Sequence, residues 1–253
     1  MCTLTFVPKR DGYDLAMNRD ERLNRGAADP PSRFLADGVD AICPRDIEGG
    51  TWIAVNASGI ALALLNWNDV PCNVRKERSR GVLIPTLIAG CTLREVRTAF
   101  DRLNLTGILP FRVAGFFPEE QEIHEWRWDL STLQSRTFPW VRQHWFSSSQ
   151  SDTKAGDIRG AVCDSAWNQA DAGSALWLRQ LHASHRNGPA FGLCVHREGV
   201  QTLSYTEVIC SPEKVQMRYF GSSPCAMGSL ESLEIERARG THSNIHNVSA
   251  SLI

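Results

Sequence analysis

Three short pieces near the start of the chain could do chemistry together: Met1-Cys2-Thr3, Asn18-Arg19-Asp20-Glu21, and Asn66 at the end of an apolar run. Trimming of Met1, usual when a small side chain follows, would leave Cys2 with a thiol and a free α-amine on one residue. That amine has an ordinary pKa of about 7.7–8.0, close to working pH, so it can take the thiol's proton. Nucleophile and base then share a residue. Attack on a carbonyl creates an oxyanion, and a hydrogen-bond donor aimed at it contributes about 2.7–4 kcal/mol in acyl transfer. Asn66, at the tip of a buried strand, can be that donor; a turn-capping asparagine is the other reading. The Asn18–Glu21 tetrad fits either a paired, partly buried cluster or the start of an exposed loop.

The elements that must position these residues follow from patterning. Residues 2–7 and 13–18 read as strands joined by a turn with Asp11-Gly12 as its signal, which brings Cys2 beside the beginning of the tetrad. Residues 22–48, polar and rich in proline, read as an irregular surface excursion. The stretch 49–55 leads into a strand, and a turn at 56–59 and an apolar partner strand over 60–65 lead to Asn66-Trp67-Asn68-Asp69; apolar residues on both faces of the second strand suit the middle of a covered sheet. Thr92-x-x-Glu95 is a capping box, and Leu93, Val96, Phe100 and Leu103 follow on one helical face. Strands are expected at 111–117 and 122–128. In the second, the period-two spacing of His124, Trp126 and Trp128 fits packing better than a platform for stacked bases. A strand-like 144–148 precedes a helix over 158–181 weakened at Gly173, and strands at 191–196, 202–210 and 215–220 follow. This reading gives one domain over 1–220 and a loosely ordered tail over 221–253.

Composition excludes several classes. The chain has 253 residues, 42% of them hydrophobic, which is enough for one substantial core. A net charge of −1 with mixed signs argues against a nucleic-acid partner or an anionic membrane surface. No apolar run reaches the length of a membrane span, and Lys9, Arg10 and Asp11 interrupt any signal-peptide core, so a cytoplasmic protein without integral membrane association is expected. Eight cysteines lie scattered without a Cys-x-x-Cys pair, and reduced thiols are expected. His182 and His185 could share a helical face, but no third ligand stands out and no metal site is expected. Gly-x-Gly-x-x-Gly, Walker and Gly-x-Ser-x-Gly motifs are missing, which leaves no anchor for a nucleotide or for a serine hydrolase, and no cofactor is expected.

Met1-Cys2-Thr3-Leu4-Thr5-Phe6, the Asn18-Arg19-Asp20-Glu21 tetrad, Gly49-Gly50-Thr51-Trp52 and the segment from Gly59 to Leu65-Asn66 together resemble the Asn-Arg-Asp-Glu (NRDE) family, also called the transport and Golgi organization protein 2 family. Cys194-Val195-His196-Arg197 and Thr202-Leu203-Ser204-Tyr205-Thr206 resemble the C-terminal strands of its bacterial members. The resemblance implies an N-terminal-nucleophile hydrolase fold: α+β, a four-layer αββα sandwich of two mostly antiparallel sheets. Similarity to the conjugated bile acid hydrolase and penicillin V acylase branch implies Cys2 as nucleophile, Asp20 as the group holding amine and thiol in place, Asn66 in the oxyanion hole, and Asn18 as a matching asparagine. Arg19 and Glu21 belong to the family's own tetrad, and Trp52 and Trp67 flank the motifs as supporting residues. Ser148 stands where those hydrolases carry a second oxyanion asparagine, and their late arginine has no placed counterpart.

Two functions follow from that resemblance. One is an amidase or acyltransferase acting through Cys2 on an N-acyl amide or acyl thioester. The other is a carrier on the same fold for an apolar ligand such as an acyl chain, a lipid or haem.

Overall fold

Period-two alternation makes strands the commonest element of the chain, and they bury different residues on their two faces. The computed structural model describes residues 2–226 and 228–238. In chain order the strands are β1 (Cys2–Lys9), β2 (Gly12–Arg22), β3 (Asp29–Ala36), β4 (Val39–Arg45), β5 (Ile53–Asn56) and β6 (Ala61–Asn66). Helices α1 (Leu83–Leu87) and α2 (Leu93–Asp101) come next, then β7 (Phe111–Phe117), β8 (Glu122–Trp128), β9 (Leu133–Pro139) and β10 (Gln143–Ser147). Helices α3 (Asp152–Ala166), α4 (Ala175–His182) and the short α5 (Gly188–Phe191) precede β11 (His196–Arg197), β12 (Val200–Cys210), β13 (Lys214–Phe220) and β14 (Leu230–Glu236).

Two antiparallel sheets result. The first runs β10-β1-β2-β12-β13-β14, with β11 paired to β12, and the second runs β3 to β9 in sequence order. On β1, Leu4 and Phe6 turn toward the second sheet, where Phe6 stacks on Phe116 of β7 with ring centroids 5.0 Å apart, while Val7 turns the other way. The space between the sheets is filled by residues such as Leu15, Met17, Val55, Ala63 and Trp145. Leu87, Val96 and Phe100 of α1 and α2 cover the outer face of the second sheet, on Leu62, Val113 and Trp126. Ala155, Val162, Trp177 and Leu181 of α3 and α4 cover the outer face of the first. Each fully buried valine, leucine, methionine or phenylalanine among these contributes about 1.5–3 kcal/mol of transfer free energy. The order is helix, sheet, sheet, helix: the expected four-layer sandwich.

Four expectations need correction. Residues 22–48 hold the hairpin of β3 and β4, closed by Asp37 and Gly38 with φ of +46° and +85°. A turn with both central residues at positive φ matches the twist of the strands it joins, and prolines at 30 and 31 are tolerated because β3 is an edge strand. The single helix expected over 158–181 is two helices, α3 and α4, broken near Gly173, whose φ is +82°. Part of 191–196 belongs to α5 rather than to a strand. Finally, the stretch after 220 includes β14, which pairs with β13 along its length through Val215–Ile235 and Met217–Leu233; residues 239–253 of the expected tail lie outside the described residues.

Candidate active site

Cys2 opens β1, an interior strand flanked by β10 and β2, and stands in register with Ser147 on one side and Arg19 on the other. Its backbone N–H donates to Ser147 Oγ at 2.8 Å. The thiol is buried, and burial raises its pKa; the nearby amino terminus and Arg19 pull it down, whereas Asp20 and Glu21 push it up. A thiol in such surroundings stays protonated until a local base takes the proton.

Arg19 and Asp20 diverge because neighbouring strand residues face opposite ways. Arg19, on the inter-sheet side, is 5% exposed, and its guanidinium lies 4.5 Å from the centroid of the Trp52 ring. Arg19 Nη1 and Trp52 Nε1 are both buried donors without a protein acceptor among the described residues, an arrangement that suits an acceptor entering from the cavity. Asp20, on the opposite face, accepts from Thr202 Oγ1 at 2.6 Å and lies 3.7 Å from Nη2 of Arg159 on α3. Burial raises the Asp20 pKa, opposed by Arg159, the amino terminus and the Thr202 hydroxyl. Arg159, itself 1% exposed, also donates from Nη1 to Thr3 Oγ1 at 3.0 Å. Nothing in the local sequence of α3 marks this arginine; only the packing of α3 on β1 and β2 brings it beneath Asp20.

Asn66 ends β6 in the second sheet, opposite Phe111. The segment after it is anchored to the first turn of α3. Asn68 donates to the Asp152 carboxylate from its backbone N–H at 2.6 Å and from Nδ2 at 3.0 Å, and Asp69 accepts from the N–H groups of Asp152 and Thr153, each at 2.8 Å. Asp152 also accepts from the N–H of Ser148 at 2.6 Å, and Arg112 of β7 donates to the carbonyl of Phe146 in β10. The ends of β6, β7 and β10 are thereby tied to one helix terminus, whose free N–H groups and dipole favour carboxylates.

A cavity of about 650 Å³ opens where these ends meet, and Cys2, Arg19, Asp20, Glu21, Trp52 and Asn66 line it together with Arg80, Ser149 and others. Three of the residues singled out from sequence sit elsewhere. Asn18 spans β2 to the helical layer: its Nδ2 donates to the carbonyls of His182 and Leu193 at 2.9 and 2.8 Å, and its Oδ1 lies 3.1 Å from His182 Nδ1. Trp67 lies under Arg127, whose guanidinium is 5.6 Å from the ring centroid. Ser148 is buried and accepts from the N–H of Gln150 at 3.3 Å; its neighbours Ser147 and Ser149, not Ser148, contact Cys2 and the cavity. Sequence reasoning passed over Ser147 and Arg159, and the register of β10 against β1 is the signal that would have singled out Ser147.

A sequence profile for the family described as Transport and Golgi organisation 2 matches residues 1–112. No match is found among curated proteins. Among solved structures, the chain is similar to the C2A mutant of conjugated bile acid hydrolase from Clostridium perfringens, with a TM-score of 0.58 and 8% identity over 98% of this chain and 100% of that one. It is also similar to penicillin V acylase from Agrobacterium tumefaciens, with a TM-score of 0.50 and 10% identity over 92% of this chain and 91% of that one. At these identities the likeness establishes the fold alone, the four-layer sandwich of two antiparallel sheets between helices.

Proposed function

We propose, from the match of residues 1–112 to the Transport and Golgi organisation 2 profile, that the chain is an amidohydrolase or acyltransferase using Cys2 as its nucleophile after removal of Met1. The observation that carries this reading is the setting of Cys2. Its sulfur and nitrogen stand at the head of a buried strand in a cavity shared with Asp20, Arg19 and Asn66.

Removal of Met1 turns the nitrogen that now donates to Ser147 Oγ into the α-amine. Ser147 then positions the amine, and the Asp20–Arg159 pair sets the charge around it. The amine takes the thiol proton as sulfur adds to the carbonyl of an N-acyl amide or thioester. The oxyanion is met by the Asn66 amide, and the buried donors Arg19 Nη1 and Trp52 Nε1 are available to a further substrate acceptor. Collapse returns the proton to the departing amine or thiol and leaves a thioester on Cys2. Water or an amine acceptor then attacks the thioester, with the α-amine again relaying the proton.

The competing reading is a carrier of an acyl chain, lipid or haem. The cavity's charged lining, including Arg19, Asp20, Glu21 and Arg80, favours a polar reacting group over a wholly apolar ligand. Intact-mass analysis of the protein with a panel of N-acyl amides and acyl thioesters separates the two. The enzyme reading expects a mature mass lacking methionine and an acyl adduct that disappears in Cys2→Ala. Retained methionine, or ligand binding that Cys2→Ala leaves unchanged with no adduct formed, would sink it.

A further inference from the structure

Away from the cavity, a turn-rich segment gathers four side chains from positions spread over the C-terminal part of the chain. His185 follows α4, Cys194 leads into β11, His196 opens that strand, and Cys225 lies in the connection from β13 to β14. Their ligand atoms all lie within 4.8 Å of one another. Cys194 Sγ is 3.6 Å from Cys225 Sγ and 3.4 Å from His196 Nε2, and His196 Nε2 is 3.1 Å from Cys225 Sγ. For a tetrahedral zinc ion with Zn–S near 2.3 Å and Zn–N near 2.0–2.1 Å, simple geometry gives S···S of about 3.8 Å and S···N of about 3.5 Å. The three separations among Cys194, His196 and Cys225 fall within about half an ångström of those edges, and the His185 ligand atom lies within 4.8 Å of the other three.

We infer that His185, Cys194, His196 and Cys225 bind one zinc ion in a closed tetrahedral site of two thiolates and two imidazoles. Four protein ligands leave no open position, which marks the site as structural and not catalytic, and mixed sulfur and nitrogen donors in this geometry select zinc over harder cations. Binding displaces both thiol protons to solvent, and the two thiolates then neutralise the ion's charge. His185 Nδ1 lies 3.2 Å from the Cys194 carbonyl, an outer contact of the kind that fixes the tautomer of a ligating imidazole; with the proton on Nδ1, Nε2 keeps its lone pair for the ion. The chain is bent to suit. Asn187 and Gly188 take φ of +73° and +75°, and the N–H of Cys194 donates to the Ser184 carbonyl at 3.0 Å, returning the chain to the level of His185.

The site has a consequence for the cavity. Arg197, adjacent to His196, donates from Nη2 to Ser149 Oγ at 2.7 Å, and Ser149 lines the cavity. A zinc ion would cross-link the β11–β12 hairpin to the β13–β14 connection and hold that wall in place. None of the four ligands lines the cavity, so the inference stands apart from the role of Cys2.

Metal analysis of the full-length protein, purified under reducing conditions and exchanged with zinc, tests this. One zinc per chain is expected, retained in Cys2→Ala and in Cys72→Ser, and lost in Cys225→Ser and in His185→Ala. Because a ligand variant could lose its metal by misfolding, the unaltered protein is also stripped and titrated with cobalt. Saturation at one equivalent with the ligand-field bands of a tetrahedral cobalt site and sulfur-to-cobalt charge transfer supports the assignment. Less than stoichiometric metal, full zinc content in folded Cys225→Ser, or peptide mapping that finds Cys194 and Cys225 joined as a disulfide under those conditions would overturn it.

Discussion

A buried carboxylate is costly unless something compensates it, and beneath Asp20 the compensation is Arg159. The two side chains are 0% and 1% exposed. Removing one member of such a pair strands the other's charge, and Arg159→Ala is expected to destabilise the fold by about 3–5 kcal/mol, read from denaturant midpoints at constant m-value. Under the proposed function Asn66→Ala acts differently: it removes a donor to a charge present only during acyl transfer. Acylation of Cys2 by the substrate found in the mass screen should slow by about 100–1000-fold with thermal stability little changed; an unaltered rate would remove Asn66 from the oxyanion hole.

The imidazole of His182 belongs to the same scale. Asn18 offers it an oxygen on Nδ1 and Thr5 a hydroxyl at 2.9 Å from Nε2, so the neutral ring is fully bonded. Burial, with His144 and Arg159 nearby, pulls its pKa down to about 3. Because the unfolded histidine titrates near 6.5, the unfolded chain binds the extra proton, and stability is lost as pH falls below about 6.5 and continues to be lost down to about 3. His182 alone gives a slope of up to about 1.4 kcal/mol per pH unit, and a folded His182→Gln variant should show a correspondingly flatter profile between pH 6 and 4 in thermal unfolding, a range set by about the unfolded pKa and the folded one.

At the level of elements, the segment after β6 is coupled to α3. Asp69 accepts from the first N–H groups of that helix and from the hydroxyl of Thr153 at 2.6 Å. Asp69→Ala should cost about 1–2 kcal/mol of stability and lower the acylation rate, because the anchor holding the segment beyond Asn66 is lost. Alkylation of Cys2 by a small reagent should stay near the wild-type rate, and a parallel loss of both would argue for general unfolding instead.

Elements with strong periodicity were legible in the sequence: β7 and β8 fall at the expected 111–117 and 122–128, and Thr92 caps α2 through a hydrogen bond from the Glu95 N–H at 3.2 Å. The box differs in one detail, since the Glu95 carboxylate reaches the N–H of Cys91 at 2.7 Å, one residue before the cap. β3 and β9 were missed for a common reason. Both lie at an edge of the second sheet and bury little, so neither carries an apolar alternation to read. Cys2, Asp20 and Asn66 could be named from local motifs, whereas the meeting of Arg159 with Asp20 and of Cys194 with Cys225 depends on contacts 139 and 31 residues apart along the chain, which no local pattern encodes.

For the molecule as a whole, the decisive feature is that both sheets end at the same place. Arg112 reaches across to the Phe146 carbonyl, and Asp152 gathers Asn68 and Ser148, so the mouths of the two sheets cannot drift apart without breaking bonds to one helix terminus. In the layers, Tyr13 of β2 donates to the Gly59 carbonyl at 2.8 Å and closes the opposite end. Cooperative unfolding of both sheets is the natural result, since the large central cluster draws on both of them, although each sheet also has an outer cluster under its own helices.

The place of β1 has a practical corollary. Being hydrogen-bonded on both flanks from its first residue, it offers no slack by which a fused peptide could swing clear of the cavity. A purification handle left ahead of Cys2 would therefore act as a plug: such a fusion should fold and melt like the native protein, yet form no thioester until a protease releases the cysteine, whereas a handle at the far terminus should be harmless. Equal acyl loading of the two fusions would mean that the strand's first residue is not where turnover begins.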